Sequence, residues 1–140
     1  MSLPCACTTT RKANRALFRF YEETMEHSGL TVTQFSILRS LSRNSPRPLS
    51  ELADELVMER TSLYRTLKPL ENQGSISIFL SGKGRVKLAN LTTKGIQNME
   101  AATPYWEQAQ NKVIAVIGDQ RWQEMSQFLL NIPDFIKSIK

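Results

Sequence analysis

The chain has one histidine, His27, and two cysteines, Cys5 and Cys7, and this scarcity excludes several kinds of chemistry. Catalysis needs a nucleophile or an acid/base group supported by partners. One histidine, with no Gly-rich phosphate loop and no zinc-like Cys/His spacing, supplies neither an active site nor a cofactor cradle. Cys5, Cys7 and His27 offer three ligands from two places with nothing to fix their orientation, so no metal centre is expected. The two cysteines, one residue apart, are too close for an ordinary disulfide with each other and cannot staple the fold. They are to be judged as reactive or inert thiols. No window reaches the roughly 18 consecutive apolar residues of a membrane span. Met1 to Cys5 also lacks the apolar core of a signal peptide. A cytoplasmic protein without a membrane partner is expected.

Acidic residues are scarce in one place. Between Arg60 and Lys94 the only acid is Glu71, against Arg60, Arg65, Lys68, Lys83, Arg85, Lys87 and Lys94. That segment is net +6 while the 140-residue chain is +5, so the remainder sums to −1. A general solubility surplus would be spread evenly, whereas a local basic face points to a polyanionic partner. With 41% apolar residues, the chain can bury a core as one domain or as a small domain with an extension.

From Thr8 to about His27, Ala13, Leu17, Phe20, Tyr21 and Thr24 recur at helical spacing, and Ser28-Gly29 ends the pattern. Thr31 to Gln34 fits a capping box opening a second helix, with Phe35, Leu38 and Leu41 inside and an end by Arg43. Residues 44–48 read as a loop. Ser50 is the expected N-cap of a short helix from Glu51 to Val57, buried through Leu52, Ala53 and Leu56. After a turn at Met58-Glu59, Leu63, Leu67 and Leu70 define the inner face of a fourth helix, and Gly74 provides its stop. Pro69 predicts a kink there. Two short helices joined by a tight turn form a helix-turn-helix, whose second helix presents side chains to base edges in the major groove. On that geometry Arg60, Thr61, Ser62, Tyr64, Arg65 and Lys68 face outward.

Ile76 to Leu80 and Arg85 to Leu91 read as strands joined by residues 81–84, the second placing Val86 and Leu88 inward. Such a hairpin is a wing. Its basic tip suits the minor groove, with Arg85 the candidate for insertion and Lys83 and Lys87 beside it. Leu91-Thr92 opens the longest helical pattern, with Ile96, Met99, Thr103, Trp106, Val113 and Ile117 on one side, a bend expected at Pro104, and an end at Gly118. A final helix, about Gln120 to Ser138, carries Trp122, Met125, Leu129, Ile132, Ile136 and Ile139, interrupted at Pro133. Large apolar stripes flanking a compact unit call for a second copy of the chain.

The residues Gly29-Leu30-Thr31, Gln34-Phe35, Leu52-Ala53, Arg60-Thr61, Leu70-Glu71, Gly74, Leu91-Thr92 and Gly95 together give a chain that resembles the MarR family of transcriptional regulators over Thr8 to Ile136. Ala102-x-Pro104-x-Trp106-x-x-Ala109-Gln110 is similar to one branch of it, which often begins with Cys-x-Cys. The resemblance implies a mainly α fold with a small β-hairpin wing. Dimerisation helices would lie in residues 1–32 and 92–140, and a winged helix-turn-helix in residues 33–91. A homodimer would present two recognition helices to successive major grooves of a pseudo-palindromic operator on double-stranded DNA. A repressor is expected, released by a signal such as a small aromatic ligand bound between the two parts. The family usually has an Asp two residues before the wing arginine; here that position is Lys83, which changes what holds Arg85. In the family's organic-hydroperoxide sensors a reactive cysteine opens the first helix, and Cys7 aligns with it. Tyr21 matches one tyrosine of their thiolate network, while Arg11 and Val32 stand where the other two would be. A thiol-based peroxide sensor through Cys7, with Cys5 nearby, is therefore one alternative. A winged-helix module for protein contacts is the other.

Overall fold

The computed structural model describes residues 2–82 and 84–140. It contains α1 (Ala6–Thr24), α2 (Val32–Arg43), β1 (Arg47–Pro48), α3 (Leu49–Leu56), α4 (Arg60–Asn72), β2 (Ile76–Leu80), β3 (Lys87–Leu91), α5 (Thr93–Ile117) and α6 (Asp119–Ile139). A three-stranded antiparallel sheet in the order β1-β3-β2 lies among α2, α3 and α4. The core is made of Phe35, Ile37, Leu38 and Leu41 from α2, Leu52 from α3, Leu63, Leu67 and Leu70 from α4, and Ile76 and Ala89 from the sheet. No described helix is long and apolar enough to cross a membrane.

Local chemistry sets most boundaries. The Thr31 hydroxyl accepts from the Gln34 amide at 3.1 Å and the Gln34 side chain accepts from the Thr31 amide at 3.0 Å, so the expected capping box starts α2. At the end of α4 the Ser75 amide donates to the Leu70 carbonyl and the Gly74 amide to the Glu71 carbonyl, each at 2.9 Å. This Schellman arrangement needs a left-handed residue, and Gly74 supplies it at φ +79°. The Ser75 carbonyl then accepts from both the amide and the hydroxyl of Thr92. A Cβ on Gly95 would lie 2.0 Å from that same oxygen. The Leu-Thr-x-x-Gly element is thus a joint that clamps the end of α4 to the start of α5.

Several expectations fail for identifiable reasons. Residues 47–48, expected in a loop, form β1, pairing Arg47 with Ala89 and Pro48 with Leu88. Two residues with a proline carry no strand pattern. Pro48, with φ held at −57°, is itself the N-cap of α3, and Ser50 lies inside the first turn without capping it. The second wing strand begins at Lys87, which pairs with Leu80, and one further bond from the Ser81 amide to the Val86 carbonyl closes the loop, leaving Arg85 outside the ladder. Val86 is consequently half exposed, not inward. The helices α4, α5 and α6 run on past Pro69, Pro104 and Pro133, so the interruption expected at Pro133 is absent. On α5 the buried residues are Gly95, Ala102 and Ala109, small residues at seven-residue spacing that let α5 approach its neighbours closely. The larger stripe residue Ile96 remains exposed.

Candidate nucleic-acid interface

The face of α4 follows from its leucines. With Leu63, Leu67 and Leu70 fully buried, helical periodicity turns Arg60, Thr61, Ser62, Tyr64, Arg65 and Lys68 outward, and all six are exposed. The turn before α4 is sharp: Val57 adopts φ 53°, ψ 44° and the Met58 amide donates to the Ala53 carbonyl at 2.9 Å. A β-branched residue is strained in that region.

α3 is held by a polar bridge that the sequence pattern did not reveal. Arg47 is buried, and its guanidinium donates to the Ser40 hydroxyl at 2.8 Å and to the Glu55 carboxylate at 3.4 Å. The Ser40 hydroxyl also donates to Glu55. That bond, followed by the Arg47 interactions, holds the Glu55 carboxyl below its usual pKa against a partial desolvation. β1, α2 and α3 are fastened together by this group. A second unanticipated contact joins α2 to α5, where Trp106 stacks on Phe35 at 5.8 Å and carries the Arg39 guanidinium 4.3 Å above its ring.

The wing contributes Arg85 and Lys87, both exposed; Lys83 lies outside the described residues. The Lys87 ammonium sits 5.5 Å from the centroid of the Tyr64 ring, so the base of the wing is in contact with α4. Arg60, Tyr64, Arg85, Val86 and Lys87, with Ser50 and Leu49 from the start of α3, line one cleft of about 310 Å³. Lys94 stands apart from this group, beside Gly74 and in a notch with Ser28, Gln73 and Asn98.

At the other end, the cysteines are exposed. Cys5, and not Cys7, is the N-cap of α1, its sulfur accepting from the Thr8 amide at 3.5 Å. Hydrogen bonds from Thr8, then from Cys7, lower the Cys5 thiol below its ordinary pKa. Tyr21 donates its hydroxyl to the Gln110 side chain, and burial raises its pKa. Lying fourteen residues along the same helix, about 21 Å, it cannot touch Cys7 within one protomer. Among the described residues no group of three or more His, Cys, Asp or Glu side chains could hold a metal ion.

Residues 30–77 match the family model described as the MarR family. The chain is similar in structure to the M. tuberculosis transcriptional regulator MosR in complex with DNA, at 34% identity and a TM-score of 0.86 over 98% of this chain and 99% of that one. It also resembles the transcriptional repressor CouR bound to a 23-mer DNA duplex, at 21% identity and a TM-score of 0.82 over 95% and 99% of the two chains. CouR from Rhodococcus jostii RHA1 bound to p-coumaroyl-CoA gives 18% identity and a TM-score of 0.78 over 89% and 88%. The CouR likenesses are of fold alone. No curated protein matches the chain in sequence.

Proposed function

Since this chain belongs to the MarR family of transcriptional regulators, we propose that it is a homodimeric repressor that binds a pseudo-palindromic DNA operator through α4 and the wing. The observation that carries this reading is the outward face of α4. It presents Arg60, Arg65 and Lys68 with Thr61, Ser62 and Tyr64 between them, and no acid lies on it before Glu71. Cations attract the phosphate backbone, and the interleaved hydroxyls and arginines can read base edges. MosR, with 34% identity, is DNA-bound in its structure, which supports the same role for this face.

Residues 33–91 form the DNA-binding unit in this reading, and residues 1–32 and 92–140 the dimerisation unit. α1 and α6 bury no residue within the protomer. Leu17 and Phe20 of α1 and Val113, Val116 and Ile117 of α5 line an apolar groove of about 630 Å³. Phe128, Leu129, Leu130, Phe135 and Ile136 of α6 are exposed. A second copy covers these surfaces and sets the two recognition helices about one DNA turn apart. Release follows from a signal that changes that spacing, with a small aromatic compound held between the two units as the expected inducer class.

One observation favours an oxidant as a second signal. Cys5 and Cys7 are both exposed at the start of α1, and hydrogen bonds from Thr8 and Cys7 hold the Cys5 thiol below its ordinary pKa, which favours its thiolate beside Cys7. Loss of operator binding on hydroperoxide treatment of wild type, but not of Cys5→Ser, supports it; equal loss in both removes Cys5 from the mechanism.

Selection of bound duplexes from a random pool tests the main reading. Two inverted half-sites about 10 base pairs apart, centre to centre, are expected. Recovery of no enriched sequence, or of a single unpaired half-site, contradicts the operator and dimer claims respectively.

A further inference from the structure

The cleft between the wing and the starts of α3 and α4 has a composition more specific than a basic surface. Arg60 comes from the first turn of α4, Arg85 from the wing loop, Ser50 from the first turn of α3 and Lys87 from the first residue of β3. None of its lining residues is acidic. Among the described residues, neither Arg60 nor Arg85 has a carboxylate within 4.0 Å, so both guanidinium groups keep their donors free. Glu51 and Glu59 flank the helix starts but do not line the cleft.

Two further features suit an anion. α3 begins at Pro48 without a side-chain cap, leaving first-turn amides without a side-chain acceptor beside Ser50. Lys87 rests over the Tyr64 ring at 5.5 Å, so the base of the wing meets α4 at the wall of the cleft. Guanidinium groups match phosphate oxygens in geometry as well as charge. The cleft, at about 310 Å³, has room for a phosphodiester with its flanking sugar atoms.

We infer that this cleft clamps one backbone phosphate of the bound duplex, held jointly by Arg60 and Arg85 with Ser50 as an additional donor. The inference rests on the DNA-binding reading and deepens it. It assigns Arg85 a shared phosphate in place of lone insertion into the minor groove, and brings in Ser50, which lies outside the recognition helix.

The test uses the full-length protein and a duplex selected from a random pool. Neutral methylphosphonate linkages are introduced one at a time along each strand. At one position per half-site the substitution should weaken wild-type binding about tenfold, the size expected for losing charge-assisted bonds. Arg60→Gln and Arg85→Gln should bind the unmodified duplex more weakly, yet lose nothing further at that same position. Arg65→Gln, which lies outside the cleft, should lose the full factor there. Additive losses in both Arg60→Gln and Arg85→Gln at every linkage overturn the clamp while leaving DNA binding intact. If wild type ignores the unmodified duplex even at low salt, the DNA-binding reading fails and the clamp with it. A free-phosphate site would instead appear as inorganic phosphate raising the Tm of wild type, but of neither arginine variant, without DNA; that outcome also overturns the duplex assignment.

Discussion

α4 and α6 carry apolar stripes of similar regularity, yet one is wholly covered and the other is bare. Leu63, Leu67 and Leu70 are fully buried, whereas Met125, Leu129 and Ile136 are each about two-fifths or more exposed and α6 buries nothing. The difference lies in neighbours. α4 is enclosed by α2, α3 and β2, and its opposite face is left to arginines and hydroxyls; α6 contacts mainly α5. An amphipathic stripe therefore reports that a helix has a partner, without saying whether the partner is in the same chain.

Truncating one residue on each stripe separates a helix covered by its own chain from one covered by another. Leu67→Ala should cost about 2–5 kcal/mol of stability in denaturant unfolding, since it opens a cavity inside the protomer. Leu129→Ala should instead make unfolding more dependent on protein concentration and shift sedimentation toward the monomer. An equal, concentration-independent loss in both would place α6 in an intramolecular core.

The polar side of α4 gives the next effect. Arg65→Ala should lower duplex affinity by about 1–3 kcal/mol and reduce the salt slope by roughly one, read by fluorescence anisotropy. Arg85→Ala should be the most damaging of the wing changes, and unchanged operator binding in that variant would remove the wing from the interface.

A smaller effect concerns how α3 is braced behind that face. Glu55→Gln weakens the bridge to buried Arg47, and because Glu55 is itself 42% exposed the cost should be only about 1 kcal/mol. The sign with pH follows from a lowered carboxyl pKa. The contribution is full above the ordinary value of 4.5 and is lost as pH falls through the lower folded value, so the two proteins should converge in acid. Divergence in acid would contradict the bridge. Smallest of all, Val57→Asn should stabilise by up to about 1 kcal/mol by relieving the left-handed turn before α4, measured as a rise in Tm.

What could be seen in the sequence was what repeats or is local. The leucines of α4, the Thr31 and Gln34 capping box and the Gly74 stop depend on spacing within one element, and each stands in the structure as expected. Features depending on residues far apart were hidden. β1 exists only because Arg47 and Pro48 meet Ala89 and Leu88, and no two-residue pattern announces that. The bridge from Ser40 through Arg47 to Glu55 joins three elements, and the Lys87 contact with Tyr64 requires the wing to fold back on α4. For the interface, the exposed set on α4 was legible from helical period alone. That Ser50 lines the cleft with Arg60 and Arg85, and that Cys5 is the residue capping α1, depend on where α3 and α1 actually begin, which no local pattern announces.

The most direct test of the central claim, that α4 and the wing form a surface shaped for duplex DNA, is the affinity for a selected duplex measured across salt from about 50 to 200 mM. Two chains per duplex and a linear fall in log affinity with log salt, of a slope corresponding to several phosphate contacts, are expected. An affinity that is negligible at low salt, or unaffected by salt, would contradict it.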